Sequence, residues 1–152
     1  MKASELRLGN LVNVPRKDQS PFRIDAFESL SNSFIKVAMI HPEHGEKFHP
    51  LTWYGDDLKP IPLTEEWLLK FGFEKFVYDS EETGYGTEYK LKASEDVFMV
   101  YSDDFSLGLY SDESREENDM AVIPTYEHIK HVHQLQNLYF ALTGEELTQK
   151  SS

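Results

Sequence analysis

Six histidines and a carboxylate-rich strand region are the residues in this chain whose chemistry must be weighed first. His128, His131 and His133 lie close together, and His41, His44 and His49 share a Pro- and Gly-containing loop that could fold around a metal ion. On a helix, however, His133 would point ~160° away from His131, so these three cannot converge on one ion; as a strand, the segment offers two ligands on one face at most. The expectation is therefore packed or solvated histidines, no metal and no cofactor. A second arrangement, Asp79 followed by Glu88-Tyr89-Lys90, has the elements of a metal-dependent nuclease. Two carboxylates would hold magnesium while the lysine stabilised the attacking water. The same short pattern arises by chance in a chain with 28% charged residues, and no proline precedes Asp79, where Val77 and Tyr78 stand.

No cysteine is present, so disulfides, thiol nucleophiles and thiolate metal sites are excluded. Serine-nucleophile motifs and dinucleotide fingerprints are missing, and Gly84-Tyr-Gly86 is a turn signal with no helix after it. With 27 acidic against 15 basic residues the formal charge is −12, a field that repels phosphate backbones and anionic lipid heads. Arg16-Lys17 and Lys90 with Lys92 are pairs and not stripes, so direct nucleic-acid binding is disfavoured. No run approaches the ~20 apolar residues of a membrane span, and residues 1–10 alternate charge with leucine where a signal peptide would be apolar. The expectation is a cytoplasmic chain without membrane attachment. Trp53, Tyr54, Asp56 and Asp57 form an aromatic and acidic edge suited to a protein or peptide partner, although Trp53 is the residue that would close a small core.

Elements must position these residues. Residues 6–14 read as an opening strand with a bend at Gly9-Asn10, ended by Pro15. Apolar runs at 22–27, 34–40 and 51–54 complete a meander that suits an SH3-like barrel. Pro60-Ile61-Pro62 is a stiff connector and marks the subdomain boundary. Thr64 then caps a short helix with Glu65 and Glu66 in its first turn. Gly72 stops that helix, and Phe73 falls where a Schellman motif packs an apolar residue back on Leu68. Runs at 73–78, 88–92, 97–101 and 105–110 follow with short connections, which imply antiparallel neighbours. Residues 111–119 are too charged to bury, and 121–123 would return as an edge strand. Over 131–142 the helical wheel gathers Val132, Leu135, Leu138, Tyr139 and Leu142 on one arc, with His133, Gln134, Asn137 and Ala141 opposite; Gly144 is the stop, and residues from 147 onward should fray.

Three blocks carry a resemblance. ELRLGNLV at 5–12, PIPLTEEWLLKFGF at 60–73 and HQLQNLYFALTGEEL at 133–147 resemble the opening, middle and closing segments of a family of short uncharacterised proteins from gut bacteria and their phages. The resemblance implies a bacterial or prophage origin and transfers no catalytic residue. The fold expected is α+β: a small SH3-like β-barrel at 1–60, then a helix, an antiparallel sheet and a packed C-terminal helix at 61–148, with a disordered tail at 149–152. The function expected is a noncatalytic phage-related accessory module that binds an unknown protein. One variant is an acidic nucleic-acid mimic, presenting residues 81–82, 95–96, 103–104 and 112–119 to a host DNA-binding protein. The competing class is the metal nuclease on Asp79, Glu88 and Lys90.

Overall fold

Apolar runs separated by short polar connections pair with their neighbours in sequence, and the chain accordingly builds two antiparallel meanders. The computed structural model describes residues 3–15, 21–31, 34–40, 51–54, 57–81, 84–95, 97–102, 107–111 and 129–150. It is a mixed α+β chain whose described residues form two four-stranded antiparallel sheets, in the orders β1-β2-β3-β4 and β5-β6-β7-β8, and two α-helices. Among the described residues neither sheet closes into a barrel. By contacts the chain divides into two units, Met1–Pro62 with His131–Leu138, and Leu63–Lys130 with Tyr139–Ser152.

In the first unit β1 (Leu11–Val12) pairs with β2 (Phe22–Ser31), which pairs with β3 (Phe34–Ile40), which pairs with β4 (Leu51–Tyr54). The expected opening strand over 6–14 is reduced to two residues and an isolated bridge between Asn13 and Lys59. The cause is local. Asn10 accepts the Arg7 N–H through Oδ1 at 2.7 Å, and its own N–H reaches the Arg7 carbonyl at 3.3 Å, so 7–10 closes as a turn instead of extending. Val12, Val14, Phe22, Ile24 and Leu58 form the core of this unit, with Leu6 packed against them.

The second unit opens with α1 (Glu65–Lys70). Thr64 takes the extended conformation of an N-cap but makes no side-chain cap hydrogen bond. At the other end the Phe73 N–H bonds the Leu68 carbonyl at 3.0 Å and the Gly72 N–H bonds the Leu69 carbonyl at 2.9 Å, the Schellman pair, with Gly72 at φ +88°. Leu68, Phe71 and Phe73 are all buried. A Cβ at Gly72 would displace the flexible end of the Lys150 side chain and, above all, would have to adopt a left-handed backbone. Gly72→Ala is therefore expected to cost at least ~1 kcal/mol, read as a lowered urea midpoint.

β5 (Glu74–Ser80), β6 (Gly84–Lys92), β7 (Val97–Tyr101) and β8 (Leu107–Ser111) follow as the second sheet. Of residues 79–86, expected to be turn, 79–80 belong to β5 and 84–86 to β6, because Gly84 at φ +84° lets pairing with Ser80 begin at once. Tyr89, Met99, Tyr101, Leu107 and Leu109 lie on one face of this sheet and are buried, with Phe73 packed edge-on against Tyr101 at 5.9 Å. α2 (Val132–Thr143) begins where its pattern predicts and ends before Gly144. Gln134 accepts the His131 N–H at 3.1 Å, one half of a capping box. The apolar arc holds at Val132 and Leu135, both fully buried, and fails at Leu142, which is 39% exposed. The segment expected to fray is tied down instead: Leu147 is buried, and the Lys150 N–H donates to the Lys70 carbonyl at 2.8 Å. The edge strand expected at 121–123 and the charged loop at 112–119 lie outside the described residues.

Candidate interaction surface

Strand alternation decides which residues of the β5–β6 hairpin can act together. Residues directly opposite each other share a face, and the pairs are Phe76 with Glu88, Tyr78 with Gly86, Glu74 with Lys90 and Asp79 with Tyr85. Glu88 and Lys90 therefore stand on one face with Phe76 and Tyr78, and Asp79 points from the other. The nuclease trio is not brought together. Glu88 and Lys90 are engaged with each other instead: Lys90 Nζ donates to Glu88 Oε2 at 2.8 Å and to the Tyr78 hydroxyl at 2.8 Å, and that hydroxyl donates to Glu88 Oε2 at 3.0 Å. The Lys90 ammonium also lies 5.0 Å from the Phe76 ring centroid. Burial works to lower its pKa, but the bonds to Glu88 and Tyr78 outweigh that effect and leave it raised, so Lys90 is a fixed cation and not a proton donor.

On the opposite face Lys75 donates to Glu65 of α1 at 2.7 Å, and hydrogen bonds from Lys75 and Tyr89 hold the Glu65 carboxyl below its ordinary value. Further along that face nothing covers the hairpin among the described residues. Tyr85 is 75% exposed and Val77 64% exposed. The hairpin also outruns the sheet. β7 pairs with β6 only from Tyr89 to Lys92, so residues 76–80 and 84–88 continue beyond the four-stranded sheet as a two-stranded ribbon. At ~3.4 Å per residue the ribbon extends for ~17 Å. Two large apolar side chains exposed on a projecting ribbon are the feature of this unit best suited to contact another molecule. Sequence reasoning missed it because Gly84 and Gly86 read as turn residues; the signal available was the alternation of Tyr85, Thr87 and Tyr89.

The other candidates resolve differently. Trp53 and Tyr54 occupy β4 opposite Val37 and Lys36, Asp57 is half-buried, and Asp56 lies outside the described residues. His41, His44, His49 and His128 also lie outside them. His131 and His133, expected to diverge, stack with ring centroids 5.7 Å apart and planes at 21°. The helix begins only at Val132, so His131 keeps bridge geometry against Pro62 and its ring falls over that of His133. Among the described residues no group of three or more His, Asp or Glu side chains is placed to hold a metal ion.

A polar cluster unforeseen from the pattern lies in the first unit. Gln136, 2% exposed, accepts the Leu11 N–H at 2.8 Å and donates to the Gly9 carbonyl at 3.3 Å. Asn10, fully buried, donates to Asn137 Oδ1 at 2.9 Å, and Asn137 donates to the Glu5 carbonyl at 3.0 Å. These amides act as the missing strand partner of the 7–11 turn and so explain polar residues of the 5–12 and 133–147 segments by structure. Of the described acidic positions in the proposed mimic array, Glu81 and Glu95 are exposed. No helix among the described residues is long and apolar enough to cross a membrane. No protein-family model, curated protein or solved structure matches the chain.

Proposed function

We propose that this protein is a noncatalytic binding module, a phage- or prophage-related accessory protein of the cytoplasm, that engages a protein partner through the β5–β6 ribbon. The observation that carries this reading is the exposure of Tyr85 and Val77 on the part of the hairpin that runs beyond the pairing of β6 with β7. The residues with the best chemical potential support it by their occupation: Glu88 and Lys90 are bonded to each other and to Tyr78, and Gln136, Asn10 and Asn137 bond backbone groups or one another. In this reading the first unit is an SH3-like module whose sheet β1–β4 supplies the barrel strands, and Trp53, Tyr54, Asp56 and Asp57 form a second, smaller contact edge. The charge of −12 favours a partner with a basic surface, which is also the basis of the acidic-mimic variant. A nuclease would need Asp79 on the face of Glu88 and Lys90.

The test is affinity capture from the native host with the unaltered chain and with Tyr85→Asp, whose exposure makes it neutral for folding. A partner held by the unaltered chain should be lost, or retained at about a tenth of the yield, with the variant. Equal capture by both would overturn the assignment of the ribbon. Hydrolysis of DNA or RNA by the purified chain in magnesium or manganese, abolished by Glu88→Gln, would overturn the noncatalytic reading.

A further inference from the structure

Among the described residues β5 is an edge strand: β6 is its sole partner there, and no described segment pairs with the backbone N–H and C=O groups of its other side. Proteins commonly blunt such an edge with a proline, a bulge or a very short strand. β5 has none of these, being seven residues, Glu-Lys-Phe-Val-Tyr-Asp-Ser, in unbroken register with β6; charge also guards edges, but here Glu74, Lys75 and Asp79 are of both signs, and Lys75 can pair with Asp79 across a two-fold axis. Its side chains are self-complementary. We propose that two copies of this chain pair through β5, antiparallel about a two-fold axis at Val77, joining their sheets into one of eight strands.

The register follows from the sequence of the strand. An axis normal to the sheet must keep each face continuous, so it can pass only through a residue position. Centred on Val77, it sets Lys75 opposite Asp79 of the second copy, twice, on the face of Val77, and Phe76 opposite Tyr78 of the second copy, twice, on the other face. Opposite charges, aromatic pairs and a central β-branched pair are the favourable cross-strand combinations. Centring on Phe76 would put each Lys75 against a valine, and centring on Tyr78 would put each Asp79 against a valine. The side chains concerned are accessible: Val77 is 64% exposed, Phe76 38%, and Lys75 and Asp79 are exposed. Lys75 already meets Glu65 and Tyr89, but its pair with Glu65 is solvent-exposed and an ammonium has three donors, which leaves one for a further partner. An edge-to-edge contact is small, so the dimer should be reversible and salt-sensitive.

Sedimentation equilibrium of the purified chain from ~10 μM to ~1 mM tests this, with far-UV circular dichroism confirming the fold of each variant. The unaltered chain should pass from monomer to dimer in that range and shift toward monomer in high salt. Val77→Lys, which sets two ammonium groups against each other on the axis, should leave only monomer. Asp79→Lys, which opposes two cations twice, should weaken association by about tenfold or more, and Lys75→Asp combined with Asp79→Lys should restore it. A chain that stays monomeric throughout, a dimer indifferent to Val77→Lys, or a double variant no tighter than Asp79→Lys alone would each overturn the proposal. The measurement uses no second protein, so its failure leaves the partner-binding reading of Tyr85 standing, and the converse holds.

Discussion

Replacing Gln136 with leucine should lower the stability of the first unit by ~2–4 kcal/mol, with little change in side-chain volume. Gln136 is 2% exposed and its amide satisfies two main-chain groups, the Leu11 N–H at 2.8 Å and the Gly9 carbonyl at 3.3 Å. A leucine leaves both without that partner. Each buried orphan costs ~1–3 kcal/mol, and the gain from a more apolar side chain offsets only part of it. Against a total stability of ~5–15 kcal/mol this is a large fraction. Asn137→Ala should cost ~1–3 kcal/mol, because its bond to the Glu5 carbonyl is exposed to water but its Oδ1 is also the acceptor for the amide of fully buried Asn10. Urea unfolding followed by circular dichroism reads both. A Gln136→Leu midpoint shift worth under ~0.5 kcal/mol would mean that the 7–11 turn closes without the helix.

Acid should weaken the same unit through His133. Burial, reinforced by the charge of His131 stacked beside it and opposed by Glu5, pushes its pKa down from 6.5 to about 4. Its Nδ1 is buried and has no hydrogen-bond partner among the described residues, so no hydrogen bond stabilises a proton there. Between pH 6.5 and 4 the unfolded chain then binds more protons at this residue than the folded one. The contribution is fully present above about 6.5 and is lost as pH falls toward 4. The depression corresponds to at most ~3.5 kcal/mol, at ~1.4 kcal/mol per pKa unit. Urea midpoints at pH 7.0 and 4.5 should differ for the unaltered chain, and His133→Leu should remove most of the difference. Equal slopes for the two proteins would place the acid sensitivity elsewhere, at carboxylates.

Part of this architecture is written in local pattern. The three runs at 34–40, 51–54 and 97–101 are the strands β3, β4 and β7, because short segments rich in β-branched and aromatic residues with turn residues at each end have few other options. α1 with its glycine stop, and the start and stop of α2, follow from 3.6-residue spacing and from Gly72 and Gly144. Where the pattern misleads, a polar residue has found a distant partner. Gln136, in the same helix, and His133, on the polar side of the wheel, are buried as deeply as Leu135, since burial depends on what stands opposite and not on the type of the side chain. Glu88 and Lys90 show their common face in their spacing, two apart on one strand.

That Asp79 lies on the far face depends on the register across the hairpin, which a single strand does not carry. The same holds for the ribbon. Val77 and Tyr85 read as ordinary strand residues; they are exposed because nothing among the described residues packs over that face of the hairpin, which also runs beyond the pairing of β6 with β7 at Tyr89. The class of the fold, the order of its elements and the absence of thiol chemistry are properties of composition and periodicity, and these are local. Which carboxylates meet, which histidines stack and which strand edge is left unpaired depend on pairings between segments far apart in the chain. Those are set by the packing of whole sheets and helices, where a shift of one residue exchanges the two faces of a strand.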